Sequence, residues 1–339
     1  MTTLSLSDPA AAAGDGLRPV NLRTDLTPLA DLIELVFADS MDQGGAAAVR
    51  ELRALSRMGP GFTSVLSGMN DLLIGISLGY VWMAGERLVG NVSVYPANWP
   101  RSLGSAWIIA NVGVHPDFRG RGIASRLMRA AMDLIRQRGG TAAVLQVDAD
   151  NLIARRLYQR LGFRDERGFT LWRRAGIVRP PALSGPQVFI TRRRPGEWRA
   201  EYALAQRVRP AERGGIGWQR PLHTDFFRPP LLRRVLDWFN LRAVERLVIR
   251  SDDQARLLAV LWIERAAMAS TTQLTLLVDP AYAGLYDQAL LHLAARRFGD
   301  RRSALLIEHP TDESVTADVL QRYAFRPQRQ VMHMRWDVR

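Results

Sequence analysis

The sequence predicts an α/β protein, a mixed sheet with helices on both faces, built in two copies. Three observations carry this. Strand-like and helix-like periodicities alternate along the chain. A breaker-rich segment, Arg179-Pro180-Pro181-Ala182-Leu183-Ser184-Gly185-Pro186, divides it and reads as a linker. Short words recur on either side of that linker at nearly constant spacing. The 339 residues, 47% of them apolar, suffice for two ordinary cores.

Taken in order, residues 1–16 lack the basic start and continuous apolar run of a signal peptide and read as an unstructured tail. Leu17–Leu22 reads as a strand, and Pro28–Ala38 and Ala46–Met58 as amphipathic helices. Ile76–Ala84 and Leu88–Tyr95 flank the hairpin turn Gly85-Glu86-Arg87. The apolar stretch around Leu72–Ala84 is broken by Gly and Ser well short of a membrane span. A strand at Ala106–Val114, a helix at Ile123–Arg138 stopped by Gly139-Gly140, a strand at Ala142–Val147, a helix at Leu152–Leu161 and a strand at Arg164–Trp172 complete the first copy.

Beyond the linker the order returns. Strands are expected at Val188–Thr191, Val244–Arg250, Arg256–Glu264, Gln273–Val278, Ala304–Glu308 and Val331–Trp336. Helices are expected at Glu197–Arg207, Pro230–Asn240, Leu285–Arg297 and Ser314–Tyr323. Val114-His115-Pro116 faces Val278-Asp279-Pro280 at an offset of 164, and Leu161-Gly162-Phe163-Arg164 faces Tyr323-Ala324-Phe325-Arg326 at 162. Somewhere between these anchors the second copy is two residues shorter. The domains are therefore expected at 17–178 and 187–339, joined by the linker 179–186.

The chain has no cysteine, which excludes disulfides, thiolate metal sites and cysteine nucleophiles and fits a reducing cytoplasm. No metal site is expected. The net charge of +13 is local: residues 1–100 hold 6 Arg against 10 acidic residues, 101–180 hold 15 against 6, and 181–339 hold 25 against 17. All 46 basic residues are Arg, which fits the codon bias of a GC-rich genome. No basic stripe interleaved with aromatics accompanies the charge, so neither nucleic acid nor membrane is expected as a partner.

The chemistry concentrates in Val114-His115-Pro116-Asp117-Phe118-Arg119-Gly120-Arg121-Gly122-Ile123-Ala124-Ser125, a strand end that turns into a helix. Glycines let the backbone approach a ligand, and the unpaired N–H groups of a helix start suit a phosphate. Arg119 and Arg121 add charged donors, although solvated arginines on a tight turn would look the same. The segment is not a Walker loop, and it lacks the third glycine of the dinucleotide fingerprint.

Asn151, Ala154, Leu157-Tyr158 and Gly162-Phe163 follow at a fixed distance, and with Arg119, Gly122 and Ala124 they resemble the GNAT N-acetyltransferase family over roughly residues 17–175. The resemblance implies a tandem GNAT fold and direct transfer of an acetyl group from the cosubstrate acetyl-CoA to a primary amine. It puts the CoA pyrophosphate on the N–H groups of Gly120, Arg121, Gly122, Ile123, Ala124 and Ser125, with Arg119 beside it. The pantetheine arm would pair with the backbone of Val112, Gly113 and Val114, Gly113 fitting a bulge where strands part or giving packing relief. Asn151 would contact pantetheine or cap the next helix, and Tyr158 would protonate the leaving thiolate.

A base must also free the amine of a proton. Related ribosomal-protein alanine acetyltransferases carry Glu five residues before the matching Asn, where this chain has Gln146. Asp148 shares that strand face and is the candidate base, its alternative role being to cap the next helix; Glu86 and His115 are weaker candidates. Asp31, Glu34, Asp39 and Asp42 favour a cationic acceptor. A non-catalytic acyl-CoA sensor is the competing expectation, motivated by Gln146, and monomer and homodimer both stay open.

At an offset of 164 the second copy puts Ala283, Leu285 and Tyr286 at Arg119, Arg121 and Gly122, with the acid Asp287 close behind; at 162, Glu313 faces Asn151 and Leu320 faces Tyr158. This half is expected to keep the fold and to have lost CoA binding. Tandem chains of this kind also resemble mycothiol synthases, but those use the C-terminal copy for catalysis, from which this chain departs.

Overall fold

The computed structural model describes residues 15–38, 43–57, 78–183, 188–230, 242–266, 271–298 and 303–338. The first copy runs β1 (Gly16–Pro19), α1 (Leu26–Phe37), α2 (Gln43–Ser56), β2 (Tyr80–Ala84), β3 (Arg87–Pro96), β4 (Ala106–Val114), α3 (Ile123–Gln137), β5 (Ala142–Asp148), α4 (Leu152–Arg160) and β6 (Arg164–Arg174). The second runs β7 (Thr191–Arg192), α5 (Trp198–Val208), β8 (Arg242–Arg250), β9 (Leu257–Ala266), β10 (Thr271–Val278), α6 (Leu285–Phe298), β11 (Ala304–Pro310), α7 (Ser314–Arg322) and β12 (Arg326–Asp337). Among the described residues the second copy repeats the element order of the first except for a counterpart of α2. Of the expected strand at 188–191 only the last residue is in β7. The expected helix at 230–240 lies, from residue 231 on, outside the described residues, as do Asp39 and Asp42.

The chain folds into two compact units that are not continuous stretches. The first comprises the described residues up to Leu145, with Leu157–Phe163 and the chain end from Arg335; the second comprises Gln146–Arg156 and Arg164–Met334. The division at 17–178 and 187–339 is crossed because β6 pairs antiparallel with β11, from Phe169↔Pro310 to Leu305↔Arg174. In the second unit the strand order is β5-β12-β6-β11-β10-β9-β8-β7. Each copy's last strand has thus left its own copy. Periodicity could not reveal this, since it specifies which face of a strand is buried and not which strand lies alongside.

Within the first unit, β1 to β5 follow in sequence order, antiparallel until β4 pairs parallel with β5. Helix α1 buries Leu26, Leu29, Ala30, Leu32 and Ile33 against Val49 and Leu52 of α2 and Val81 and Leu88 of the sheet. Helix α3 buries Ile123, Leu127, Met128, Ala131, Met132 and Ile135, the three- and four-residue spacing of one helical face. Each fully buried Leu, Ile or Met of these faces contributes about 1.5–3 kcal/mol relative to exposure. The chain end returns here: Val338 N–H donates to Thr141 O (3.0 Å), and Trp336 packs near Phe163.

The second unit has a core on each face of its sheet. Ala259, Leu261 and Ile263 of β9 join Leu290, Leu291, Ala294, Phe298, Val319 and Leu320 of α6 and α7 on one face, whereas Val260 and Trp262 join Leu204, Ala205 and Phe227 on the other. This double burial is why Leu257–Ile263 reads as an unbroken apolar run rather than an alternation.

Candidate functional site

The turn between β4 and α3 is open. Gly120 and Gly122 have φ of +79° and +76°, and an added Cβ at either would meet nothing within 4 Å. His115 caps the short 3-10 turn Pro116–Phe118 that precedes them, its Nδ1 accepting from the N–H of Asp117 (3.3 Å). Arg119 Nε donates to Val114 O (3.3 Å), and Arg121 Nη2 donates to Asp117 O (3.2 Å) while its guanidinium lies 4.8 Å from the Phe118 ring centroid. Both arginines thereby brace the turn.

Arg126 N–H donates to Gly122 O and is the first backbone donor of α3 with a partner. Among the described residues, the six preceding N–H groups, Gly120 through Ser125, have none. Six free donors at the positive end of a 15-residue helix are an arrangement that suits an anion.

Beside it the strands part. The β4–β5 ladder covers Ala106↔Ala142 to Ile108↔Val144 only, and β4 continues through residues 109–114 without it. This leaves backbone groups of Val112 to Val114 available on that edge. On the other edge Asn91 pairs with Gly113 and Ser93 with Ala110, so Asn111 and Val112 together oppose one residue of β3. The bulge expected at Gly113 is therefore at Asn111, which takes φ +53°. Asn tolerates this conformation better than most residues, the signal that sequence reasoning missed. Its side chain reaches Ser93 Oγ (3.3 Å) and Tyr95 Oη (3.4 Å). Gly113 instead makes room for α1: a Cβ there would stand 3.2 Å from Val36 Cγ1.

Tyr158, in the first unit, is buried against Phe163 (ring centroids 6.1 Å), and burial pushes its phenol well above the ordinary value. Among the described residues its hydroxyl has no hydrogen-bond partner. In the second unit, Asn151 Oδ1 accepts from the N–H of Ala154 (3.1 Å), capping α4, and Asn151 N–H donates to Asp148 O (3.0 Å). Asp148 is engaged: its Oδ1 accepts from Arg329 Nε. Gln146 Nε2 lies 3.1 Å from His333 Nε2 and 3.5 Å from Glu308 Oε1.

The weaker base candidates are placed elsewhere. Glu86 is exposed in the β2–β3 turn, and His115 Nε2 lies 2.6 Å from Arg87 Nη2. Asp31 and Glu34 both accept from Arg53 Nη2, at 2.8 and 2.6 Å, so one guanidinium offsets one of their two charges.

The second copy's turn differs in build. Its short 3-10 turn Pro280–Tyr282 matches Pro116–Phe118 at an offset of 164, but α6 begins at Leu285 against Ile123, an offset of 162. The missing pair of residues is thus in the turn itself: four residues, 119–122, are replaced by Ala283 and Gly284. Leu285 corresponds to Ile123 rather than Arg121, and Asp287 to Ser125. The Asp287 carboxylate is fully buried and accepts from Gly284 N–H (2.6 Å) and Thr316 Oγ1 (2.6 Å). An internal carboxylate therefore occupies the helix start.

The β10–β11 ladder, from Thr271↔Ala304 to Leu274↔Ile307, also ends before its strands do. Here the carbonyl of Leu276, the counterpart of Val112, accepts from Arg209 Nη2 (3.3 Å). Arg209 is itself buried and held by Glu313, the counterpart of Asn151. Arg167 (2.7 Å) and His309 (3.0 Å) also reach Glu313. Burial alone would raise the Glu313 pKa, but the hydrogen bond with His309 and the charge of Arg209 outweigh it and hold the carboxyl far below the usual range.

Residues 66–163 match the acetyltransferase (GNAT) family. N-alpha-acetyltransferase 30 of Schizosaccharomyces pombe is 32% identical over 84 residues, covering 25% of this chain and 55% of that protein. Mycothiol acetyltransferase of Clavibacter sepedonicus is 38% identical over 78 residues, covering 23% and 26%. The chain thus spans about half or less of the length of these relatives. Among solved structures, a GCN5-related N-acetyltransferase from Sphaerobacter thermophilus shares the fold over 95% of both chains, with a TM-score of 0.60 at 17% identity. The acetyltransferase (GNAT) match thus spans the open turn, the strand and helix that follow it and α4 of the first copy, and the fold of a GCN5-related N-acetyltransferase is shared along nearly the whole chain.

Proposed function

We propose that the first copy transfers an acetyl group from acetyl-CoA to a primary amine. The observation that carries this is the run of six unpartnered N–H groups, Gly120 through Ser125, at the start of α3. A pyrophosphate would satisfy several of these donors at once, with Arg119 and Arg121 on the rim. The free edge of β4 at Val112 to Val114 suits the amide groups of pantetheine, and Asn151 holds the turn before α4. Tyr158 stays protonated through the neutral range and is the acid for the departing thiolate.

The second copy, residues 187–339 beyond the linker 179–186, acts in this reading as a copy that has given up CoA. Its turn lacks two residues, Asp287 fills the helix start, and Arg209 takes the strand carbonyl that pantetheine would use. An acyl-CoA sensor is the second reading, favoured by an amide at Gln146 where the resemblance to ribosomal-protein alanine acetyltransferases implies a Glu. Calorimetry with acetyl-CoA and release of free thiol across a panel of amines test both. One molecule bound per chain with turnover supports transfer; binding without turnover on any amine supports the sensor; two molecules bound per chain refutes the loss of CoA binding.

A further inference from the structure

Directly opposed residues of two antiparallel strands share a face of the sheet, so Asn91, opposite Gly113, lies on the side of α1, where Val36 and Phe37 stand against Gly113. Ser93 and Tyr95, two and four residues further along β3, share that face. The other face is closed, since a Cβ at Gly90 would stand 3.0 Å from both Ile123 and Leu127 of α3. All of these residues belong to the first unit.

On the α1 side four uncharged polar side chains meet. Asn91 Nδ2 donates to Asn111 O (3.0 Å), and because a carbonyl can only accept, the amide cannot be turned over. Asn91 Oδ1 is then a buried acceptor with no partner among the described residues, on a side chain whose residue is 1% exposed. Asn111 Nδ2 gives its hydrogens to Ser93 Oγ (3.3 Å) and Tyr95 Oη (3.4 Å). Both hydroxyls therefore accept, and at least one of their own hydrogens is left to donate. Burial outweighs the hydrogen bonds with Ser93 and Asn111 and raises the Tyr95 phenol above its ordinary value, so it stays a protonated donor at neutral pH. Asn91 and Ser93 are buried, whereas Tyr95 and Asn111 are half-buried and form the open end.

Holding the Asn111 carbonyl at its bulge explains the Nδ2 end of Asn91. It does not explain Oδ1, because a buried polar atom is ordinarily paired. In the acetyl-transfer reading the pyrophosphate takes the turn at 120–125 and the pantetheine arm takes Val112 to Val114. The thioester end of the arm, further back along β4, then falls at the Asn111 bulge. With the α3 side closed, the amine approaches it over these four side chains.

We propose that Asn91, Ser93, Tyr95 and Asn111 are the acceptor subsite. Asn91 Oδ1 accepts an N–H of the attacking amine, whose lone pair stays free for the thioester carbonyl carbon. The hydroxyls of Ser93 and Tyr95 hold an uncharged hydroxyl or amide group close to that nitrogen. The acceptor class is thus a primary amine with a neutral hydrogen-bonding neighbour, since a carboxylate or a second ammonium finds no counter-charge in the network.

This subsite presupposes acetyl transfer by the first copy, and separate outcomes test the two. The full chain is assayed with acetyl-CoA and ethylamine, ethanolamine, glycinamide, glycine or ethylenediamine. Wild type should favour ethanolamine or glycinamide over the other three by about tenfold or more in kcat/KM, and which of the two leads tells hydroxyl from amide. Ser93→Ala with Tyr95→Phe should erase that preference, keep ethylamine turnover within about threefold and leave CoA affinity by calorimetry unchanged. Asn91→Leu should lower kcat/KM by about tenfold or more for every amine, again at unchanged CoA affinity. Amine turnover without the preference, or a preference that survives the paired variant, overturns the subsite and leaves the transfer reading standing. An Asn91→Leu enzyme with full turnover shows that Oδ1 holds water only, and one whose loss of turnover matches its loss of CoA affinity shows that Asn91 only supports the bulge; either overturns its role. A wild type that binds acetyl-CoA and acetylates no primary amine overturns the transfer reading and this subsite with it.

Discussion

The Asp287 carboxylate accepts the Gly284 N–H at 2.6 Å, bending back to cap the helix on which it sits. Asp287→Ala should destabilise the protein by about 1–3 kcal/mol, because it strips the part-buried Gly284 N–H and the buried Thr316 hydroxyl of their acceptor. It should not create a second CoA site, since the turn remains two residues short. Urea unfolding and calorimetry with acetyl-CoA check the two halves of this expectation.

Gly122 carries the opposite commitment. At φ +76° a side chain is strained even where there is open space for it. Gly122→Ala should cost about 1–2 kcal/mol of stability and weaken acetyl-CoA binding further by shifting the free N–H groups. The same substitution at Gly196, which has ordinary φ and open space around a Cβ, is the control that should leave CoA affinity alone.

Tyr158→Phe removes a hydroxyl that has no partner among the described residues, so thermal stability should change little while kcat falls by about a hundredfold. Burial raises the folded pKa of the phenol. The acid form is therefore retained beyond the ordinary tyrosine value of about 10, and pH–rate profiles should show no phenol-dependent fall below that point.

Glu313 sets a dependence of stability on acid. Its folded pKa is depressed, so the stabilisation it brings is present above the unfolded glutamate value of about 4.3 and is lost as pH falls through the folded one. Glu313→Gln should remove this part of the acid sensitivity. At neutral pH it should cost about 3–5 kcal/mol by leaving the Arg209 charge buried without its partner. Denaturant melts at several pH values measure both.

Much of this was legible before any coordinates. The limits of β4 are those read from alternation, and α3 starts at Ile123 as its glycine-arginine turn and apolar periodicity indicate. The two-residue shortening of the second copy was visible as a change of offset, but its location was not, because only backbone geometry shows where one helix begins relative to another. The plug by Arg209 left no trace in a chain whose basic residues are all arginine. What was missing was the neighbour relation of β5, β12, β6 and β11, which pairs residues more than 150 positions apart.

That neighbour relation also bears on inheritance. A duplicated domain is ordinarily free to be deleted, yet here β6 of the first copy is hydrogen-bonded to β11 of the second, and the last residues of the chain are built into the first unit. A gene shortened at the linker would lose strands from both units at once. The second copy is therefore retained as part of the first one's architecture, and selection on either half acts on both.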